Sequence, residues 1–197
     1  MEKGTHGYID RKRSRLIMSA VLNVVLVVSL FAIGLILTKT KSNYYTVMAV
    51  LMTVPLAYFV TGLAAIGSFK SLGEEKWQEF QDLTGSFAEA VTATDLISTV
   101  KEKQMYAGAV LFTTAEVVLY TEKAKKLYAV REDLSGVLKN TGYFNRVCLT
   151  DDWNEFISRA KTNLEAEMVI AANDASTYAA TKNELEKQKE RLLIYSI

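Results

Sequence analysis

A thiol and an imidazole are the side chains that most often do covalent and acid–base chemistry. This chain of 197 residues has one of each, Cys148 and His6. A cysteine nucleophile needs a base beside it to form the thiolate. Cys148 lies between Val147 and Leu149 in an apolar, β-prone stretch, and His6 lies near the start of the chain, before two long apolar runs. We therefore expect a packing cysteine in a strand and a solvated histidine in a flexible basic tail. One cysteine excludes an internal disulfide framework and a multi-cysteine zinc site, and one histidine excludes a histidine cage.

Neighbouring carboxylates occur at Glu74–Glu75, Glu132–Asp133 and Asp151–Asp152. Such pairs can share acid–base work or hold a divalent cation. Each falls at an expected helix start or on a charged helical face, where capping and solvation account for it. A nuclease centre on a sheet needs an acid and then acid-x-Lys on an adjacent strand, to hold Mg²⁺ and activate water. Asp95 offers the first acid, but no acid-x-Lys follows; two residues after Glu122 comes Ala124. Phosphate-binding glycine loops, G-x-S-x-G, H-E-x-x-H and C-x-x-C are all absent from the sequence. No catalytic residue, cofactor or metal is expected.

The elements that would position these residues fall into two unlike parts. Leu16–Leu37 is a run of 22 residues without a charge. As a helix it is roughly 33 Å long, enough to cross a hydrocarbon core of about 30 Å. Thr38–Asn43 is a polar break, and Tyr44–Phe69 is a second uncharged run. Neither run carries the polar stripe of a soluble core helix. We expect a transmembrane helical hairpin, with spans 16–37 and 44–69 after a basic tail at 1–15. A cleaved leader would have a shorter apolar run and a small-x-small site before the polar break.

Lys3, Arg11, Lys12, Arg13 and Arg15 precede the first span, only Lys39 and Lys41 lie in the loop, and Lys70 and Lys76 follow the second span. By the positive-inside rule both termini are cytoplasmic and the protein is a multi-pass protein of the plasma membrane. Tyr44 and Tyr45 suit an outer aromatic belt, and Phe69 and Trp77 an inner one. Asn23 is the most polar side chain in the spans. Counting from the inner ends of both runs places it level with Thr61 and Gly62. An amide in lipid needs a protein partner. Asn23 is thus expected to contact Thr61 or to pair with Asn23 of a second copy. Gly62, with Ala64, Ala65, Gly67 and Ser68, would let the helices approach closely. No charged group lies in either span, which disfavours a transport pathway. Pro55 should kink the second helix.

Residues 73–197 are long enough for an independent core. Ser71-Leu-Gly-Glu74 has capping-box spacing, and Trp77, Phe80, Leu83, Phe87 and Val91 recur at helical intervals, so a helix is expected to about Thr92. A short strand at Asp95–Val100 follows. Ala109–Phe112 and Glu116–Tyr120 read as a hairpin. The competing pattern is one long helix starting at Thr113-Thr-Ala-Glu116; β-branched and aromatic residues over Val110–Thr121 favour strands. A helix over Ala124–Lys139 stops at Asn140-Thr-Gly142. Tyr143–Leu149 is then a strand, and Thr150-Asp-Asp152 caps a helix that turns Trp153, Phe156, Ile157, Ala160 and Leu164 to one face. Asn173-Asp174 starts a last helix, and Leu192–Ile197 could add an edge strand. The expected class is α/β (α+β), in the order α-β-β-β-α-β-α-α-β, joined to the N-terminal hairpin. Its α-β-β-β-α-β part is similar in topology to the restriction-endonuclease-like core, an analogy of fold alone.

The hairpin of spans, the strand pair MYAGAVLFTTAEVVLYT, the helix ending LKNTGY and the segment FNRVCLTDDWNEFISRA resemble small two-span membrane proteins of Gram-positive gut bacteria. The resemblance covers about Arg15 to Ala160 and implies a membrane anchor with a small cytoplasmic α/β domain. It implies no activity. Some of those proteins carry the label of likeness to O-linked GlcNAc transferases. That class resembles a tetratricopeptide array joined to a large sugar-nucleotide domain, and this chain has neither a 34-residue repeat nor the length.

Charge separates the two parts. Residues 1–72 have eight Lys and Arg against two Asp and Glu, a net of +6; residues 73–197 have fifteen against twenty, a net of −5, which together make the chain's +1. An acidic domain is repelled by phosphate backbones, so no nucleic acid partner is expected. The basic N-terminal part would be drawn to an anionic leaflet. The expected partners are the lipid bilayer and a protein partner or a second copy. The expected function is a membrane-tethered interaction or scaffold module. The alternatives are an accessory subunit of a transport or envelope complex and a degenerate membrane-proximal enzyme.

Overall fold

A computed structural model of the chain describes residues 3–100, 103–122, 132, 135, 136 and 146–194. Two compact units form, one of residues 9–70 and one joining the first eight residues to those from 71 onward.

The first unit is helical. α1 runs Tyr8–Thr38, α2 Tyr44–Leu51 and α3 Thr53–Ile66. Two helices, Tyr8–Thr38 and the 23-residue stretch Tyr44–Ile66, are long and apolar enough to cross a membrane by length and composition. The ends differ from expectation. Helix α1 takes in Arg11–Arg15, so these charges sit on helical turns and not in a tail, and the second helix stops at Ile66 and not at Phe69. The interruption between α2 and α3 falls at Met52. Pro55 supplies no N–H for the carbonyl of Leu51, and its ring crowds that carbonyl. The Thr53 hydroxyl donates to the nearby carbonyl of Val50 at 2.6 Å. Asn43 organises the connection. Its Oδ1 accepts from the Thr46 N–H and caps α2, while its Nδ2 donates to Thr38 Oγ1 and to the Thr40 carbonyl, both at 2.8 Å. Gly34 makes room for this, since a Cβ there would lie 2.8 Å from Asn43 Oδ1 and from Tyr45 Cβ.

The second unit is a mixed sheet between helices. α4 is Glu74–Gly85; β1 is Val91–Val100, β2 Lys103–Phe112, β3 Glu116–Tyr120 and β4 Arg146–Thr150; α5 is Trp153–Asn173 and α6 Ala175–Ile194. The sheet order is β1-β2-β3-β4, with the first two pairings antiparallel and the last parallel. Both faces are covered. α6 places Leu185 and Leu192 with Ala93, Leu96, Val110, Val117, Leu119 and Val147. On the other face Phe80 of α4 and Phe156, Ala160 and Leu164 of α5 meet Ala109, Leu111, Val118 and Tyr120. β3 alternates between these two cores, so Val117–Tyr120 is buried throughout. A strand covered on both faces reads as an unbroken apolar run. That is why the strand pattern prevails over the long-helix alternative. Thr113 closes the β2–β3 turn, its hydroxyl donating to the Glu116 carbonyl at 2.6 Å.

Three expectations are corrected. The capping box at Ser71 does not form: Gly73 is the N-cap, without a side-chain bond. The N–H of Leu72 is held by the Asp95 carboxylate instead, which ties this segment to the sheet. The helix ends at Gly85, because glycine and then the β-branched residues from Val91 favour leaving it. The C-terminal edge strand is absent as far as Ile194, where α6 continues with Leu192 buried on the sheet. The expected helix Ala124–Lys139 and its stop lie outside the described residues, apart from the helical Glu132, Ser135 and Gly136. Asp152 caps α5 as expected, accepting from the N–H groups of Asn154 and Glu155.

Candidate functional site

The most unusual backbone in the α/β unit is at Asp95, in the middle of β1. Its φ is +52°, a left-handed value that side chains other than glycine seldom adopt. Its carboxylate is 1% exposed. Oδ1 accepts from the N–H of Leu72 at 3.0 Å and from the Tyr106 hydroxyl at 3.4 Å, and Oδ2 has no hydrogen-bond partner. Buried polar atoms are nearly always paired, and backbone strain gathers where the surroundings enforce it. The sequence marks Asp95 as an acid on a strand. Its burial and strain have no signature there.

A second cluster joins α4, β3 and α5. Lys76 Nζ donates to the Tyr120 hydroxyl at 2.6 Å and to Glu122 Oε1 at 3.0 Å. The ammonium lies 4.8 Å from the centre of the Tyr120 ring and 5.7 Å from that of Trp153. Burial opposes the charged form, but the bonds to Tyr120 and Glu122 outweigh it and raise Lys76 above the ordinary lysine range. Trp153 donates its indole N–H to Glu79 at 2.6 Å, and its ring stacks on Phe156. Such a cluster anchors two helices to a strand by cation–π and hydrogen-bonding contacts. Its members are scattered along the chain, so no spacing rule finds them.

Glu167 is a third buried charge. Its Oε1 accepts from the N–H and the hydroxyl of Thr114, at 2.7 and 2.5 Å, and so fixes the β2–β3 turn on α5. An acid in the buried stripe Phe156–Ala160–Leu164–Glu167 is visible from spacing alone. Beside it, burial and the Glu167 carboxylate push the Tyr178 phenol well above its usual range.

The residues singled out from sequence are distributed as follows. Cys148 is half-buried on β4 in the core beneath α5, and His6 is not in a flexible tail. The imidazole stacks on Trp77 with ring centres 4.8 Å apart and lies 3.3 Å from Glu74 Oε2. Trp77 therefore belongs to the α/β unit's aromatic cluster, beside Phe80. Asp151 and Asp152 sit at the start of α5, and Glu74 and Glu75 in the first turn of α4, where carboxylates oppose the helix dipole. Among the described residues no three His, Cys, Asp or Glu side chains converge on a common metal position. Asp95 and Glu116 stay apart. Asp95 is level with Gly108, one step beyond the Ala109–Tyr120 pair, while Glu116 lies at the other end of β3. At about 3.3 Å per residue that offset is roughly 16 Å.

In the helical unit, Arg13 does more than set charge balance. Its guanidinium donates to the carbonyls of Ile66, Gly67 and Phe69, which terminate the second apolar helix. A cation at carbonyls left open by a helix end is favourable on hydrogen-bonding and dipole grounds. Gly62 admits Leu16, whose Cδ1 would lie 3.3 Å from a Cβ at that position. Asn23 and Thr61 do not hydrogen-bond. Thr61 donates to the Ala57 carbonyl at 2.8 Å, and Asn23 Oδ1 is buried without a partner.

The α/β unit thus belongs to the class of small mixed sheets covered by helices on both faces, and the chain adds two long apolar helices before it. No family model, curated protein or solved structure matches the chain.

Proposed function

We propose that the chain is a membrane-tethered interaction or scaffold module, with α1 and α2–α3 as a transmembrane hairpin and the α/β unit presented to the cytoplasm. One observation carries this reading. Only 6% of the apolar window of α1 and 11% of that of the second helix is buried within the protein. Ile17, Met18, Leu22, Ile36, Val54 and Tyr58 are among the large side chains left exposed. A soluble core helix buries its apolar residues, and an uncovered apolar surface of this extent calls for lipid. The basic residues Arg11, Lys12, Arg13 and Arg15 favour a cytoplasmic N-terminus, and two crossings return the C-terminal unit to the same side. Alkaline carbonate extraction of membranes tests the anchor: the chain stays in the pellet, and a soluble product rejects it. Thiol labelling of Cys148 in spheroplasts and of a cysteine placed at Ser42 tests orientation: Ser42→Cys reacts from outside and Cys148 does not.

A second reading is an enzyme on an endonuclease-like scaffold. The antiparallel, antiparallel, parallel order of the sheet favours it. The bonds of Asp95 to the Leu72 N–H and the Tyr106 hydroxyl, and of Glu122 to Lys76, speak against metal-dependent phosphodiester cleavage on it. A third reading, an accessory subunit held by its hairpin, is separated by exchanging the hairpin for an unrelated one. The scaffold keeps its partners and the accessory subunit loses them.

A further inference from the structure

Residues 3–7 lie on the surface of the α/β unit, and none of them is fully buried. Two contacts fix the course of this segment. The Gly4 carbonyl accepts from the Thr94 N–H at 2.9 Å and from the Thr94 hydroxyl at 3.3 Å, on β1, the outermost strand at that side of the sheet. Two residues on, the His6 imidazole lies flat on the Trp77 indole, with ring centres 4.8 Å apart and Nε2 3.3 Å from Glu74 Oε2. Gly4 and Gly7 bracket the segment with φ of +80° and +74°. A Cβ at Gly4 would lie 2.9 Å from Leu193 Cδ2, so backbone and space both call for glycine there. The receiving groups suit a stronger ligand than histidine. An aromatic face beside a carboxylate favours a planar cation, since the ring attracts positive charge and the carboxylate takes its N–H groups. Glu74 is 68% exposed, Glu75 follows it in the first turn of α4, and the neighbouring cation, Lys76, is engaged by Tyr120 and Glu122.

We propose that Thr94, Trp77 and Glu74 form a docking site for an extended segment of a partner protein that carries Gly-x-Arg, and that residues 3–7 are its intramolecular occupant. The proposal rests on the interaction-module reading above and names the partner's chemistry. The partner's glycine carbonyl takes the N–H and hydroxyl of Thr94. Its arginine, two residues on, stacks on Trp77 and pairs with Glu74, as His6 does from within the chain. Guanidinium is favoured over ammonium because it is planar, stacks on aromatic faces and offers five donors in a fixed fork. The chain's own segment competes with this stronger contact by being tethered beside the site. A surface segment without a buried side chain has little local stability, so a partner displaces it at small cost.

The test is fluorescence anisotropy of a labelled peptide, Lys-Gly-Thr-Arg-Gly, with the full chain in mild detergent. His6→Ala should tighten binding about fivefold, because a site covered by its own chain binds in proportion to the fraction that is open. In the His6→Ala background, Trp77→Leu should lose this binding. Glu74→Gln, at an exposed position where the fold is not at stake, should lose most of it. A peptide with lysine for arginine should bind more weakly, and one with alanine for arginine should not bind measurably. Equal binding to the native chain and to His6→Ala, or equal binding of the arginine and alanine peptides, overturns the proposal. So does binding that survives Glu74→Gln in full. Such a failure leaves the membrane-tethered scaffold standing, which falls instead to carbonate extraction and hairpin exchange.

Discussion

Asp95 stands opposite Gly108 across the β1–β2 ladder, and at this pair both strands exchange the faces to which their side chains turn. Val91 and Ala93 share one core with Leu96, and Met105 and Ala107 share it with Val110 and Phe112. Each series skips one step at the Asp95–Gly108 level. The left-handed backbone of Asp95 makes the step on β1. On β2, Gly108 leaves a place that Leu72 Cδ1 and Tyr106 Oη fill, each 3.1 Å from where a Cβ would be. Leu72 is in turn held by the Asp95 carboxylate.

The pair predicts an order of stabilities. Asparagine tolerates the left-handed region and keeps an acceptor for Leu72, so Asp95→Asn should stay within about 1 kcal/mol of the native chain. Asp95→Val should lose roughly 3 kcal/mol or more, because a β-branched residue does not adopt that φ and the Leu72 N–H loses its partner. Gly108→Ala should lose about 1–2 kcal/mol by crowding Leu72 and Tyr106. Urea unfolding in mild detergent reads these changes, since both tryptophans, Trp77 and Trp153, lie in the α/β unit. Equal losses for asparagine and valine would contradict the account.

Spacing rules read local relationships, and here they succeed where the relationship is local. The apolar runs, the helix of Trp153–Asn173 with its Asp152 cap, and the β2–β3 hairpin are all set by residues within a few positions of one another. The Asp95 step fails to show because a change of facing produces two apolar residues of the same face three apart, which alternation alone cannot distinguish from a strand end. The Lys76–Tyr120–Glu122 cluster fails to show because its parts meet only once the sheet is assembled. The basic segment was readable as charge. That Arg13 terminates a helix some fifty residues on was not, since nothing near Ile66 in sequence announces its partner.

Glu167 and Tyr178 should behave as a coupled buried pair. Glu167→Leu removes the acceptor for two groups of Thr114 and should lose roughly 2–4 kcal/mol. Glu167→Gln keeps an acceptor and should lose less. Tyr178 is raised chiefly by burial and only then by Glu167, so in Glu167→Gln its phenol should titrate lower but still above free tyrosine. A folded-state value raised above the unfolded one gives stability that is full below about pH 10 and is lost as pH rises beyond it. Tyrosinate absorbance during alkaline titration follows this. A phenol in the variant that titrates like free tyrosine would show that burial is not the leading cause.

Asp174 provides the opposite pH response. Its carboxylate accepts from the Thr177 hydroxyl and N–H and from the Ser176 hydroxyl and N–H, which lower it to about 2. The depressed value gives α6 a contribution present above about pH 4 and lost as pH falls toward the folded value. We expect amide exchange at Ser176 and Thr177 to accelerate between these limits, and Asp174→Asn to flatten the response while keeping the cap. An unchanged acid response in Asp174→Asn would assign it to another carboxylate.

Asn23 should be dispensable for hairpin packing. Leu16 meets Gly62, and Arg13 meets the carbonyls that follow, so the two helices run in a register that places Asn23, seven residues beyond Leu16, level with Pro55 and not with Thr61. Its Oδ1 is buried without a hydrogen-bond partner, and Thr61 donates to the Ala57 carbonyl instead. A buried acceptor without a donor is a cost, and replacing it by an apolar group of similar size removes the cost. Asn23→Leu should therefore leave the oligomeric state unchanged and leave resistance to unfolding in sodium dodecyl sulfate unchanged or higher. Asn23→Ala, which also empties the space, should lower it by about 1 kcal/mol. Disappearance of a dimer in Asn23→Leu, read by native mass spectrometry in mild detergent, would instead place this amide between two copies.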